Sequence, residues 1–364
     1  MTALPAAPPP VRPPGPPPPT GRAPLVVGAL AAVLAVGLLV VSAVAGVAAS
    51  GAADDVDQAR ADAALVAAAL STDVIDALGD EGASAAAALL GFADAIELDQ
   101  PSFAAAAAAT DAAVADLRRR ARGAGAAADP LVAALDALEP QLTPLRGSVA
   151  AVGADGRLDH LAEADAYRDG VDLLVDGLFA AATQVAAGIG DPEVGEGVTL
   201  ARHAQRLTGK APAVARAVLL ASLDGGVNDP EEIAGLAEDL ADIQATRATI
   251  DELASGFYRT AADELLAGED VDAFVPQVEE VLRSGTADLS TGAVTAFHDA
   301  YATFEQRVAD HARARADQVV DDAERRAGRA TTVAAVAGGT GLVLGVAAAI
   351  ILIRAVRRPR PRDA

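Results

Sequence analysis

The stretch from Val294 to Ile353, VTAFHDAYATFEQRVADHARARADQVVDDAERRAGRATTVAAVAGGTGLVLGVAAAIILI, decides the fold. Its first part carries apolar residues at three- to four-residue spacing, which places them on one face of a helix: Val294, Phe297, Tyr301, Phe304, Val308 and Ala312. Its last part, Thr331–Ile353, holds 23 residues without a charge, enough for a membrane-spanning helix. No proline occurs from Gln277 to Arg358, so both parts are predicted to form one continuous helix.

A second uncharged segment, Leu25–Ala49, is also long enough to span a membrane. Basic residues flank the two segments on their far sides: Arg12, Arg22, Arg354, Arg357, Arg358, Arg360 and Arg362. Because basic flanks favour the cytoplasm, we predict a two-pass protein of the bacterial plasma membrane with both termini inside and residues 51–330 outside. A cleaved signal peptide and a secreted domain are the alternative, but the apolar segment is longer than a typical signal core.

The composition favours an all-α protein. The chain of 364 residues is 52% hydrophobic and contains only seven Phe, three Tyr and no Trp, so much of its apolar content is alanine. Alanine is the strongest helix former, and the residues typical of strands are scarce. The absence of cysteine excludes disulfides, thiol catalysis and Cys-ligated zinc.

Charge is distributed unequally along the chain. Seven of the 28 basic residues and one of the 51 acidic residues lie outside 51–330, so that segment has a net charge of −29 and the ends have +6. A surface this acidic disfavours nucleic acid and anionic lipid as partners.

These patterns divide the chain into five predicted segments. They are a Pro-rich disordered cytoplasmic tail (1–23), a transmembrane helix (24–50), an extracytoplasmic helical domain (51–330), a second transmembrane helix (331–353) and an Arg-rich cytoplasmic tail (354–364). Proline cannot donate a backbone hydrogen bond, so the first tail is expected to be extended. Asp129, Asp191 and Asp229 each precede a proline, a pattern typical of an N-cap before the first helical residue.

Four stretches of the middle segment resemble the nitrate- and nitrite-sensing domain family. They are DVIDALGDEGASAAAALL (73–90), ATDAAVADLRRRAR (109–122), LEPQLTPLRGSVAA with AYRDGVDLLVDGLFAAA (within 138–182) and ARHAQRLTGKAPAVARAVLLASLDGG (201–226). The order and spacing of these stretches carry the resemblance. It implies two four-helix bundles that share long helices, with a small oxyanion bound between them by one Arg from each of two related motifs.

The sequence departs from the family at both of these arginines. Gly82 follows Glu81 where the first Arg is expected, and Pro212 stands at the position of the second. Because an oxyanion needs fixed donors and Arg can donate twice, nitrate or nitrite is predicted to bind weakly at best.

Three basic residues near the second motif are the candidate ligand-binding residues: Arg206, Lys210 and Arg216. They could rebuild half of an oxyanion site, or they could be solvated surface charges. The sequence predicts no catalytic residue, no metal ligand and no cofactor, since no nucleophile–base set occurs and the four histidines lack zinc-site spacing.

We therefore predict a membrane-anchored extracytoplasmic sensor that signals by helix displacement through a separate protein, such as a membrane-bound histidine kinase. The alternative is a structural or scaffolding envelope protein that has lost its ligand. Gly341 and Gly345 form a G-x-x-x-G motif in the second span, which permits close helix packing and a possible homodimer through the transmembrane helices.

Overall fold

The computed structural model describes residues 23–70, 73–90, 102–152, 161–223, 230–286 and 289–356, and within these ranges the chain is helical without strands. The α-helices are α1 (Ala23–Ala69), α2 (Asp73–Leu90), α3 (Phe103–Gly123), α4 (Asp129–Val152), α5 (Leu161–Ile189), α6 (Pro192–Leu223), α7 (Pro230–Leu253), α8 (Gly256–Leu265), α9 (Glu269–Ser284) and α10 (Thr291–Val356). A 3₁₀ turn, Gly125–Ala128, precedes α4. The all-α prediction is confirmed, and the division into two four-helix bundles stays a prediction.

The predicted tails fall mainly outside the described residues. Residues 1–22 and 357–364 are not described, Ala23 begins α1, and the described residues of the last tail end α10.

The chain divides into two compact units. One contains the residues up to Asp54 and from Arg325 onward, and the other contains Asp55–Glu324. Helices α1 and α10 each contribute residues to both units.

The apolar face predicted for α10 lies in the core of the second unit. Phe297, Phe304 and Val308 are fully buried, and Tyr301 is 1% exposed. Rings at 4.6 Å connect Phe297 to Phe274 of α9 and to Tyr301. Helix α5 likewise buries residues at three- to four-residue spacing: Leu174, Leu178, Ala182 and Val185. Helical periodicity therefore identified the residues that hold this unit together.

Of the predicted N-cap residues, Asp191 caps its helix and Asp129 does not. Asp191 caps α6, since its Oδ1 accepts from the backbone N–H of Glu193 at 3.0 Å and of Val194 at 3.3 Å. Asp129 is itself in helical conformation, because the 3₁₀ turn leads directly into α4. Asp229 lies outside the described residues.

In the first unit, the apolar segments of α1 and α10 pack closely through small residues. A Cβ on Gly341 would meet the Leu38 Cβ at 3.2 Å, and one on Gly338 would meet the Ser42 Oγ at 3.3 Å. The first glycine of the predicted G-x-x-x-G motif therefore serves a contact within one chain.

Three stretches are long and apolar enough to cross a membrane by length and composition alone: Val36–Leu89, Ala166–Ile189 and Thr291–Ile351. The first and third overlap the two predicted spans, at residues 36–50 and 331–351. The second belongs to α5, whose buried residues Val171, Leu174 and Leu178 form part of the helical core.

Candidate functional site

Glu81 of α2 is completely buried and bound by donors from two other helices. Arg146 of α4 donates to it twice, from Nε to Oε1 at 2.7 Å and from Nη2 to Oε2 at 2.9 Å. The Tyr167 hydroxyl of α5 also donates to Oε1. Arg146 makes a second ion pair, from Nη1 to Asp111 Oδ1 at 2.9 Å. This network ties α2, α3, α4 and α5 together around one carboxylate.

The network fixes the ionisation of its members. Burial raises the pKa of Glu81, but the hydrogen bonds from Arg146 and Tyr167 and the positive charge of Arg146 more than offset it, and the pKa lies below its ordinary value. The hydrogen bond from Arg146 to Glu81 raises the pKa of the guanidinium. Burial raises the pKa of Tyr167, so its hydroxyl stays protonated and donates. Glu81 is thus a carboxylate whose charge is fully compensated inside the protein.

The two positions at which the resemblance implies arginines, Gly82 and Pro212, lie in different surroundings. Gly82 is half-buried, and a Cβ there would meet Val171 of α5 at 4.0 Å. Pro212 is exposed within α6. Neither position supplies a side-chain donor for an anion.

A cavity of about 330 Å³ opens between α2, α5 and α6, and we call it the α5 cavity. Its lining residues are Ile75, Gly79, Asp169, Val171, Asp172, Leu173, Val175, Asp176, Phe179, Arg202, Gln205, Arg206, Gly209 and Lys210. The structure thus brings two of the predicted ligand-binding residues, Arg206 and Lys210, to one cavity.

The cations of the α5 cavity are held by carboxylates. The Lys210 ammonium lies 2.6 Å from Asp239 Oδ1, and Arg206 Nη2 lies 2.8 Å from Asp242 Oδ1. Arg202 Nε lies 3.0 Å from Asp176 Oδ1. An anion that entered this cavity would have to compete with these carboxylates for the same donors.

Arg216 lies apart from the other two candidates. It lines a separate cavity of about 270 Å³ together with Leu219 of α6, Leu289 of the segment before α10, and Val294 of α10. The structure therefore does not gather all three predicted residues at one site.

A larger cavity of about 550 Å³ lies between α2, α6 and α10, and we call it the α10 cavity. Its lining residues are Ile75, Asp76, Gly79, Asp80, Gln205, Thr208, Gly209, His298, Ala302, Glu305, Gln306, Ala309 and Arg313. Gly79 and Gly209 line both cavities, and a Cβ on either would meet nothing within 4 Å. The two related motifs, on α2 and α6, thus face this shared space.

Glu305 is the most deeply buried charge in the α10 cavity. It is 8% exposed, and among the described residues only charge interactions, with no hydrogen bond, reach its carboxylate. Burial raises its pKa to about 8, the negative charge of Asp76 adds to the shift, and the positive charge of Arg313 opposes it. Glu305 therefore contrasts with Glu81, which is completely buried but accepts three hydrogen bonds.

Helix α10 is also fastened to the start of α6. Arg315 Nη2 lies 2.9 Å from Asp191 Oδ2, the carboxylate that caps α6. His311 Nε2 lies 2.9 Å from Glu193 Oε1, and its ring stacks on Phe257 at 3.8 Å. These contacts couple α10 to the helix that lines both cavities.

Sequence reasoning missed Arg202, Glu305 and the partners of Glu81. Arg202, Arg206 and Lys210 are spaced four residues apart, so the helical period could have placed them on one face. Glu305 directly follows the buried Phe304 within the apolar pattern of α10, which was its only signal. Nothing in the sequence connects Glu81 to Arg146 or Tyr167, because they lie 65 and 86 residues apart.

Comparisons with known proteins agree with this architecture. The model of a family described as nitrate and nitrite sensing matches residues 73–313, which is more than half of the chain. The solved structure of the NasR transcription antiterminator is similar, with a TM-score of 0.53, 16% sequence identity, and coverage of 79% of this chain and 82% of that chain. At this identity the likeness shows a shared fold alone. No curated protein sequence matches the chain.

Proposed function

The chain belongs to the nitrate and nitrite sensing family, and on that premise we propose that it is a membrane-anchored sensor that binds a small ligand outside the membrane. The proposal assigns residues 51–330 to the extracytoplasmic side, with 24–50 and 331–353 as spans. The family is a sensing family rather than a catalytic one.

One observation carries the proposal: α10 both lines the α10 cavity and contains an apolar segment of membrane-spanning length. It contributes His298, Ala302, Glu305, Gln306, Ala309 and Arg313 to the cavity wall. The same helix continues through the uncharged segment 331–353. A ligand that shifted α10 would therefore act on a helix that continues into the membrane.

The proposed signal is a small displacement of α10 relative to α1, read by a separate membrane protein such as a histidine kinase. Packed helices respond to a ligand by shifts of about 1–2 Å between discrete arrangements. The contact of Gly341 with Leu38 supports such coupling, since α1 and α10 pack closely at this point.

Topology labelling tests the membrane placement. The chain lacks cysteine, so single cysteines at positions 10, 150 and 360 can be labelled with a membrane-impermeant maleimide in intact cells. We expect labelling from outside at position 150 alone. External labelling at position 10 or 360 would contradict the two-pass arrangement, and a mature N-terminus near Gly51 would establish cleavage.

Crosslinking tests the signalling step. Cysteines introduced at Leu38 and Gly341 should form a disulfide, because the two residues are in contact. We expect the rate of disulfide formation to change when ligand binds, while a Cys pair at exposed Val33 and Val346 stays unlinked. An unchanged rate at saturating ligand would remove helix displacement from the proposal.

A scaffolding role in the envelope is the second candidate. The observation that favours it is the loss of both family arginines, together with the pairing of Arg206 and Lys210 by acids of α7. A chain that binds no small molecule and keeps its fold would fit this role.

A further inference from the structure

We propose that the α10 cavity binds a small organic ammonium ion, anchored by the carboxylate of Glu305. This inference rests on the proposed function only in assuming that the domain binds a small ligand. It assigns to the cavity a ligand of opposite charge to the anions for which the family is described.

The position of Glu305 is the first ground. Its side chain lines the cavity, it is more than nine-tenths buried, and no described residue donates a hydrogen bond to it. A buried carboxylate without a donor is costly, so it is a strong acceptor for a charged donor that reaches it. An alkylammonium group supplies three N–H donors and a compensating charge.

The charge of the cavity wall is the second ground. Asp76 and Asp80 add two carboxylates from α2 to that of Glu305. Arg313 is engaged elsewhere, with Nη1 at 2.6 Å from Asp310 Oδ1 and Nη2 donating to the Leu70 carbonyl. His298 Nδ1 lies 3.1 Å from Asp299 Oδ1. The wall therefore favours a cation.

The size and chemistry of the cavity indicate an organic cation rather than a bare metal ion. A volume of about 550 Å³ falls within the usual range for organic ligands. A metal ion needs oxygen ligands at about 2.0–2.6 Å, a small fraction of that space. Ile75, Ala302 and Ala309 provide apolar wall for a carbon chain, and Gln205 and Gln306 provide side-chain carbonyls.

The pH dependence of binding provides a second test, because a proton and an ammonium ion compete for the Glu305 carboxylate. Four other charged or titratable groups line the cavity: Asp76 and Asp80 from α2, and His298 and Arg313 from the helix that carries Glu305. Glu305 holds a proton near neutral pH because its pKa is about 8, so an ammonium ion has to displace that proton. Apparent affinity should therefore rise about tenfold from pH 7 to pH 9, over which a primary alkylammonium with a pKa of about 10.4 stays charged.

The test is calorimetric titration of the full chain in a nonionic detergent with n-butylammonium chloride at pH 9 and fixed ionic strength. We expect saturable binding by the native chain, no heat with the neutral analogue n-butanol, and tenfold weaker binding at pH 7. Glu305→Gln should lose at least tenfold in affinity and its pH dependence. Glu238→Gln changes the same charge at an exposed position of α7 and should bind as the native chain does.

Several outcomes would overturn the proposal. They are no saturable butylammonium binding, equal binding by Glu305→Gln, or displacement of butylammonium by micromolar calcium, which would assign the cavity to a metal. Asp80→Asn provides a second variant at an exposed residue and should weaken binding several-fold. Circular dichroism checks the fold of each variant. The topology labelling is independent of amines, so its failure and the failure of this inference are distinguishable.

Discussion

Glu81 and Glu305 are both buried glutamates in the same helical unit, and their surroundings are opposite. Glu81 accepts two hydrogen bonds from Arg146 and one from Tyr167, and its pKa is lowered. Glu305 has no such donor among the described residues and faces a cavity, and its pKa is raised to about 8. The first carboxylate is ionised as part of the folded structure, whereas the second is ionised only at a cost.

The difference separates a structural role from a binding role. A compensated charge holds helices together and leaves little affinity for a ligand. An uncompensated charge weakens the fold and binds whatever compensates it, which is why strongly perturbed groups gather at functional sites.

The largest expected effect is a loss of stability when Glu81 loses its main hydrogen-bond donor. Arg146→Ala leaves the Glu81 carboxylate buried without its main donor, and we expect the free energy of unfolding to fall by about 3–5 kcal/mol. Urea denaturation followed by far-UV circular dichroism measures it. Arg283→Ala, at an exposed residue of α9, is the control and should change stability by less than about 0.5 kcal/mol. A loss below about 1 kcal/mol in Arg146→Ala would remove the structural role of Glu81.

The second largest expected effect is a gain in stability, from the substitution of Glu305. Glu305 holds its proton more tightly in the folded state than in the unfolded chain, so native stability falls as pH rises from about 4.5 to about 8. Glu305→Gln removes this loss and should stabilise the protein by about 2–4 kcal/mol at pH 8.5, since one pKa unit corresponds to 1.36 kcal/mol.

Denaturation at several pH values measures this gain. The stabilisation should shrink towards zero below about pH 4.5, where Glu305 is protonated in both states. Equal stability of Glu305→Gln and the native chain at pH 8.5 would show that Glu305 is not strained by burial.

The stability at acid pH distinguishes Glu81 from Glu305. The folded pKa of Glu81 lies below the unfolded value, so its contribution to stability is present above about pH 4.5 and is lost as pH falls through the folded pKa. Glu81→Gln should therefore reduce the loss of stability below about pH 4.5, whereas Glu305→Gln should leave that loss unchanged. If Glu81→Gln lost as much stability at acid pH as the native chain does, other carboxylates would be responsible for that loss.

The smallest expected effect concerns nitrate. We expect no saturable nitrate binding at micromolar concentration, because Gly82 and Pro212 offer no donor and Lys210 is paired with Asp239. Calorimetry on the full chain at fixed ionic strength should give the same result for Lys210→Ala. Micromolar nitrate binding that disappears in Lys210→Ala would restore the family's anion specificity.

The helices and their buried faces could be predicted from sequence because both depend on local periodicity. The α10 face from Phe297 to Val308 is an example, since its spacing alone shows that it is buried. The site could be predicted only in part. Arg206 and Lys210 share a cavity as the motif suggested, but their acidic partners on α7 depend on how the helices pack.

The contrast between the two glutamates lay beyond sequence reasoning for the same reason. Glu81 and Glu305 are identical residues in apolar helical contexts, and only their long-range neighbours distinguish them. Arg146 reaches Glu81 across 65 residues of chain, whereas the side chains around Glu305 leave a cavity.

Proton release on ligand binding tests the central claim most directly. n-Butylammonium is titrated into the full chain at pH 7 in phosphate and in MOPS, whose ionisation enthalpies differ, so the difference in heat counts the protons released. With a Glu305 pKa of about 8, we predict the release of about 0.9 proton per bound ligand in the native chain and none in Glu305→Gln. Binding without proton release in the native chain would contradict the account, because Glu305 would then be ionised already or would not contact the ligand.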